Sequence, residues 1–493
     1  MASRRVRVLC AVVLVAFAAH LAVFGALAIS RQAPDFEYFY SAGAHLLTQG
    51  ELDRGIERLP NGQIERRGTI EWYLPFVSRF MTLLAWLPFG AAGSLWLALN
   101  VIAFFITLML LGKHLMGLPP QDWPVTLLLP VLLLGLFWHW ELRLNQIDTL
   151  TLLLVVASFV HWQQRRQRLA GFWLGLAVLL KVTPLLLVVW FALKRQFRTV
   201  GVALLTIFLV GPIGDVLVFR PAYAGDAYRQ WFQAALTTGS LRGMILNQKE
   251  MDWRNQGLGA VACRWLHPTN YALHFDNEPR IKTYKAPATM NVVTLPRATI
   301  ATIVTALAGL SIAGLLWLAR RPAQELSLWQ LRGEWALFLL AMLGLMPVLR
   351  RYHLILLLPA MAVLASGVHY AGLQRRWSKL ALICIGGAVA CELSILTRML
   401  PESGILHWFD GVFGARHVEA LSTALDAGIL EASGVLLLSV ILLAIPLVAL
   451  LLRLAREPEA MPGHAYAPPH PVRAVWSAGA GYAGEANAVA ART

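Results

Sequence analysis

Charged residues are scarce in this chain: Asp, Glu, Lys and Arg make up 14% of its 493 residues, against 58% hydrophobic. A soluble domain carries roughly a quarter charged residues, so this shortage argues against an ordinary water-soluble fold. Cysteine is nearly absent too. Of the four, Cys10, Cys384 and Cys391 lie in apolar stretches and only Cys263 in a long polar loop, so no disulfide framework is expected. There is no Asn-x-Ser/Thr acceptor for N-glycans, which fits a bacterial protein. No Walker A loop, Rossmann glycine fingerprint or zinc-ligand spacing falls on a suitable element. His20, His114 and His139 are scattered and need no ligand role.

What the chain does have is apolar length. Runs of about 17–25 residues recur almost throughout, each able to cross the roughly 30 Å hydrocarbon core of a bilayer. The net charge of +15, from 42 Lys and Arg against 27 Asp and Glu, would suggest nucleic acid in a soluble protein. In a membrane protein it reads instead as basic cytoplasmic loops, and no nucleic-acid partner is expected. The prediction is an all-α polytopic membrane protein with about 9–11 membrane helices. One transmembrane domain spans residues 1–453, and a disordered cytoplasmic tail follows over 454–493.

Charge sets the expected topology. Arg4, Arg5 and Arg7 keep the N-terminus in the cytoplasm. The apolar run of the first segment exceeds a secretory h-region, so it reads as a retained helix. Loops at about 30–75, 220–297 and 398–431 are then external, with short juxtamembrane helices. Phe76–Leu87 reads as an interfacial helix. Ala170–Leu193 is long enough for one span, yet basic clusters flank both ends and Lys181-Val182-Thr183-Pro184 interrupts its middle. A lysine at mid-membrane costs about 2.5–3.5 kcal/mol and proline removes a helix hydrogen bond. Broken backbone at that depth is tolerated only against protein or a water-filled cavity. These features predict a re-entrant hairpin with Lys181 at its tip. Arg350, Arg351 and His353 violate the charge rule by falling in a short outer turn. They either snorkel to headgroups or neutralise an anion held at the surface.

The odd polar features therefore gather at the outer level: Asp35 and Glu37, Trp72 and Tyr73, Asn145 and Gln146, Lys181, Asn255 and Gln256, and Arg350 to His353. A carboxylate, amides, aromatics and cations around an apolar entrance suit a sugar on a lipid phosphate. Such a sugar carries its own leaving group. Cations would stabilise the departing phosphate while one carboxylate, Asp35, deprotonates the acceptor hydroxyl. Tyr38, Trp72 and Tyr73 fit a sugar platform and an ordinary interfacial belt equally well.

Several of these runs resemble glycosyltransferase family 87. Asp35-Phe36-Glu37-Tyr38-Phe39-Tyr40-Ser41-Ala42-Gly43 is similar to its D-F-x-x-Y-Y-x-A-G opening. Trp72-Tyr73-Leu74-Pro75-Phe76 resembles its Y-P-P-F signature, with Leu74 departing from the first proline. Asn145-Gln146-Ile147-Asp148 resembles G-Q-x-N, with Asn145 for Gly and Asp148 for Asn. Lys181-Val182-Thr183-Pro184 matches K-x-x-P, and Asn255-Gln256-Gly257-Leu258 is similar to N-Q-S-L. Pro347 and Arg351-Tyr352-His353 resemble its proline and W-x-H-Y region. The likeness runs from about residue 5 to 370.

The resemblance implies a GT-C fold and an inverting transfer from a polyprenyl-phosphate sugar, often mannose, to a lipid or glycan acceptor. It implies Asp35 as catalytic base and donor phosphate at Lys181, Arg350, Arg351 and His353. Sugar or acceptor contacts would then fall on Glu37, Tyr38, Trp72, Tyr73, Asn145, Gln146, Asn255 and Gln256. No cofactor is expected. Asp35 and Glu37 fit a loose acidic-x-acidic metal pattern, but no further acidic cluster accompanies them, so no metal site is assigned. Asp215 fits a structural or an acceptor role. The rivals are a lipid-linked-sugar transporter or flippase, against which the absence of an internal repeat counts, and a glycan polymerase or ligase of the same fold. The expected location is the bacterial inner membrane, with the site facing outward.

Overall fold

A computed structural model of the chain describes residues 8–17, 19–20, 23, 34–50, 56–58, 64–66, 73–116, 123–218, 221–237, 239–248, 251–271, 289–371, 376–394 and 429–456. Trp72, most of the loop at 398–431 and nearly all of the tail lie outside these residues. Nearly everything described is helical. In chain order the helices are α1 (Val8–Phe17), α2 (Pro34–Gln49), α3 (Pro75–Ala85), α4 (Phe89–Leu110), α5 (Trp123–Leu133), α6 (Gly135–Leu144), α7 (Asp148–Gln163), α8 (Gln167–Leu180), α9 (Leu185–Leu193), α10 (Phe197–Phe208) and α11 (Gly214–Val218). There follow α12 (Pro221–Thr237), α13 (Leu241–Asn247), α14 (Leu258–Leu266), α15 (Arg297–Leu318), α16 (Leu328–Gly344), α17 (Leu358–Ala371), α18 (Arg376–Leu393), α19 (Ile429–Ala432) and α20 (Val435–Arg456). A small antiparallel hairpin, Ile56–Arg58 against Ile64–Arg66, is the one strand pair among the described residues.

Among the described residues five stretches are long and apolar enough to cross a membrane: Phe89–Leu115, Phe197–Val218, Arg297–Leu318, Arg351–His369 and Val435–Ala455. The pair Thr126–Leu133 and Phe137–Leu144, bent by 60°, makes a sixth if it is one span. The expected 9–11 membrane helices also counted the re-entrant hairpin and the juxtamembrane helices, which are not among these spans. The other helices are short, as α8 and α9 are, or carry ionisable groups, as α16 does with Arg332 and Glu334. The segment after the first helix, expected to be a loop with short juxtamembrane helices, holds α2. Its buried residues Phe36, Phe39, Leu46 and Ala42 recur at helical spacing, giving one apolar stripe. Gly43 lets α2 close on α3, since a Cβ there would lie 2.6 Å from the Met81 backbone carbon.

The interruption at Lys181 reverses the chain. Gly171 meets the Thr199 carbonyl, Gly175 meets Thr206, and Leu179 meets Gly211, so α8 and α10 run side by side in the same direction. Gln167 Nε2 also donates to Gln196 Oε1 at 3.0 Å, joining the starts of the two helices. Hence α9 must return from the Lys181 level to the level where α8 began, which is the predicted hairpin. Only glycine permits the α8–α10 approach. Gly171→Ala would force the backbones apart and should cost about 1–3 kcal/mol, read as a lowered midpoint of thermal unfolding of the purified protein.

Basic residues collect at one end of this bundle. Lys194 donates to the carbonyls of Ala319 and Arg321, both at 2.8 Å, and pairs with Glu334. Gln164 meets His114, next to Lys113, at 3.4 Å. The turns bearing Lys113, Arg165 and Arg166, Lys194 and Arg195, and Arg320 and Arg321 therefore share one end. Lys181 caps the other end of α8. The main apolar core fills the space between the long helices, and a smaller one seats α13 and α14 on the first turns of α15 through Ile245, Cys263 and Ile300.

Candidate active site

Asp35 occupies the first turn of α2, where a carboxylate suits the exposed backbone amides. Gln146 Nε2 donates a hydrogen bond to Asp35 Oδ2, and Tyr73 OH reaches Gln146 Oε1 at 3.5 Å. Phe39 packs edge-on against the Tyr73 ring at 5.0 Å and so ties α2 to the chain entering α3. Burial, followed by the nearby Tyr352, Asp148, Asp35 and Glu141, pushes the Tyr73 hydroxyl well above its ordinary value. Tyr73 is thus a neutral donor beside the Asp35 carboxylate.

Gln146 is held by its backbone. Trp96 Nε1 donates to the carbonyls of Asn145 at 3.0 Å and Gln146 at 3.2 Å, and Asn100 donates to the Gln146 carbonyl at 3.3 Å. Asn145 ends α6 in the left-handed region (φ 54°, ψ 52°), a conformation for which glycine and asparagine are the usual residues. That explains Asn145 where the family pattern has Gly. Its side chain is buried and donates to the Gly93 carbonyl at 3.1 Å.

Behind this layer lies a buried ionic group. Asp148, fully buried at the start of α7, pairs with Lys181 through Oδ1, while His353 Nε2 lies 3.9 Å from Oδ2. The backbone N–H of Arg350 lies against His353 Nδ1 at 3.1 Å. Glu141, also fully buried, accepts from the Thr149 backbone N–H at 2.9 Å and hydroxyl at 3.1 Å through Oε1. Asp148 and Glu141 were not singled out as site residues from the sequence. Their signal was there, as carboxylates inside apolar helices, which are rare unless functional.

A third layer comes from the long segment between α12 and α15. Asn255 accepts from the N–H of Gly257 at 2.8 Å and of Leu349 at 3.0 Å, and donates to the Pro347 carbonyl at 3.2 Å. The Gln256 N–H donates to the Leu349 carbonyl at 2.7 Å. Both residues are fully buried and brace the turn that presents Arg350. Arg264, buried, fixes the same segment through the carbonyls of Met251, Asp252, Asn255 and Ala432. Asp252 bonds Arg254 at 3.0 Å and lies 3.9 Å from Arg350 Nη1. Burial alone would raise the Asp252 carboxyl, but Arg350 and Arg254 outweigh it and hold it below the ordinary range. A depressed folded value means that its stabilisation is present above the unfolded pKa and is lost as pH falls through the folded one. Asp252→Asn should therefore melt below wild type at neutral and mildly acidic pH, and the two melting curves should converge only below the ordinary carboxylate range.

The expected residues do not all converge. Asp35, Tyr73, Gln146, Lys181, Arg350 and His353 face one region, around Tyr352. Asn145, Asn255 and Gln256 lie behind it and shape it. Glu37 and Tyr38 are exposed on α2, and Glu37 is two residues from Asp35, so the two carboxylates point apart on the helix. Arg351 stacks on Trp140 and Trp253, each ring centroid 5.0 Å from its guanidinium carbon. Asp215 bonds Arg79 at 2.8 Å and accepts from the Tyr228 hydroxyl at 2.6 Å, a link between α11, α3 and α12. No group of three or more His, Cys, Asp or Glu suited to a metal occurs among the described residues.

The described residues thus form a bundle of apolar helices with a carboxylate and several cations brought together near Tyr352. The family model of glycosyltransferase family 87 matches residues 72–347, more than half of the chain, and the protein belongs to that family. Asp35 lies well before the matched residues, and the turn from Arg350 to His353 begins just after them. The chain is also similar to the polyprenol-phosphate-mannose-dependent alpha-(1-2)-phosphatidylinositol mannoside mannosyltransferase of Mycobacterium tuberculosis. The two are 24% identical over 361 residues, which take in 68% of this chain and 78% of that protein. No solved structure matches the chain.

Proposed function

We propose that this glycosyltransferase moves mannose from a polyprenyl-phosphate donor to a hydroxyl of a glycolipid acceptor on the non-cytoplasmic face. The observation that carries the reading is the Asp35 carboxylate, oriented by Gln146, beside a group of three cationic or proton-bearing side chains: Lys181, Arg350 and His353. The acceptor oxygen attacks the anomeric carbon as the bond from that carbon to the phosphate oxygen breaks. The electron pair leaves on the phosphate and the acceptor proton passes to Asp35, so the configuration inverts. Lys181, Arg350 and His353 stabilise the charge that develops on the leaving phosphate. Lys181 meets Asp148 in the resting protein, which keeps that ammonium in place and compensated until the phosphate arrives. Tyr73 and the exposed Tyr38 offer faces and hydroxyls to the sugars. The reaction written this way needs no metal and no cofactor.

The basic end of the bundle supports this orientation. Cytoplasmic loops collect Lys and Arg, so the reading has the Lys113, Arg165, Lys194 and Arg320 turns inside and the Asp35 and Lys181 region outside. The mannosyl donor is taken from the name of the mycobacterial relative. The test is direct. Purified protein is given radiolabelled polyprenyl-phosphate mannose and a panel of mannolipid acceptors. Label appearing in the acceptor supports the reading, and no transfer from mannosyl, glucosyl or arabinosyl donors would sink it.

A further inference from the structure

One cationic cluster is not used by this chemistry. Trp140 and Arg143 lie one turn apart on α6, on the same side of the helix, with the Arg143 guanidinium 4.9 Å from the Trp140 ring. Arg351 stacks on that same indole and on Trp253, so the order is Arg143, Trp140, Arg351, Trp253. Trp253 is buried and Arg143 is exposed, so the ladder runs from the packed external segment out to the rim. Next to it, Asp252 engages Arg254 and Arg350. Two guanidiniums, Arg254 and Arg350, thus flank that carboxylate, and Arg143 and Arg351 lie against the rings instead.

We infer that Arg143 and Arg351, laid against Trp140 and Trp253, form a second anion site that takes the phosphodiester of the acceptor lipid. This rests on the acceptor being a glycolipid, as proposed above, and it moves Arg351 out of the donor-phosphate group. A guanidinium flat on an indole sheds little further water and keeps its N–H groups directed outward in its own plane. Two oxygens of a phosphodiester match that edge. A cation that only snorkels to bulk headgroups needs no ring on either side, whereas Arg351 is held between two. Arg350, one residue earlier, points to Asp252 and backs His353, so neighbouring arginines serve different phosphates.

The test separates binding from transfer. Full-length protein in uncharged detergent is titrated calorimetrically with a mannosyl phosphodiester lipid and with the alkyl mannoside that lacks the phosphate. Wild type should bind the phosphodiester at least about tenfold more tightly, the scale of a charge-assisted pair. Arg143→Gln and the double variant Arg143→Gln/Arg351→Gln should reduce that preference to less than about twofold, and Arg143→Lys should keep part of it. A preference that survives in both glutamine variants, or that wild type lacks, overturns the inference. So does equal competition by phosphatidylglycerol, which would make this a bulk-lipid contact. If the preference holds but no acceptor is mannosylated, the anion site stands and the transfer reading fails.

Discussion

Asp35→Asn should remove sugar transfer while leaving the fold unchanged. A general base contributes roughly 10²–10⁴-fold, and a drop of that size is expected in the rate of label transfer from polyprenyl-phosphate mannose. The amide has nearly the volume of the carboxylate, and its carbonyl oxygen can still accept from Gln146 Nε2. The apolar stripe of α2, with Phe36, Phe39 and Leu46, is untouched. The thermal midpoint and the binding of donor should therefore match wild type. This combination distinguishes a proton acceptor from a structural group, which would lower both. Transfer within a few-fold of wild type would remove Asp35 from the chemistry.

The second large effect concerns Lys181 and Asp148. Lys181→Met leaves Asp148 fully buried without its ammonium partner, and breaking such a pair costs about 3–5 kcal/mol. The single variant should melt markedly earlier and lose transfer. Replacing both partners by apolar residues, Lys181→Met/Asp148→Leu, removes the stranded charge and should recover most of the stability. Transfer should stay lost, because the leaving phosphate still lacks its cation. Recovery of both would reduce the pair to packing. Failure of the double variant to regain stability would mean that the pair carries more than its own charges. Thermal melts of the four proteins, with transfer measured on each, complete the cycle.

Much of this was legible from local chemistry. The interruption at Lys181 to Pro184, flanked by basic residues, already demanded a reversal, and the parallel course of α8 and α10 supplies it. The polar runs were also legible as one region, because each interrupts apolar sequence at the same expected level. Other features depend on contacts far apart in the chain. Nothing near Asp148 announces Lys181, 33 residues on, as its partner. The roles of Asn255 and Gln256 as braces appear only when the turn at Pro347 to Leu349 packs on them. The neighbours Arg350 and Arg351 look alike in sequence, yet Arg350 lies in extended backbone (φ −105°, ψ 162°) and Arg351 opens the 3₁₀ segment Arg351–Leu357, so the two side chains leave the chain in different directions. The bounds of α2 were not legible, because it is too short and polar to register as a span, though its Phe36, Phe39 and Leu46 spacing is helical.

The length of α8 has a consequence for where the reaction takes place. Fourteen residues at about 1.5 Å each raise Lys181 only about 21 Å above the basic end, against a hydrocarbon thickness near 30 Å. Under the proposed reaction and orientation, the transfer point would then sit several ångströms below the opposite surface, closer to the lipid tails than to bulk water. A polyprenyl chain can deliver its phosphate to that depth without leaving the bilayer. The acceptor sugar has to be lowered into a dent in the membrane plane, so a lipid with a short, flexible headgroup arm would be favoured over a long rigid glycan.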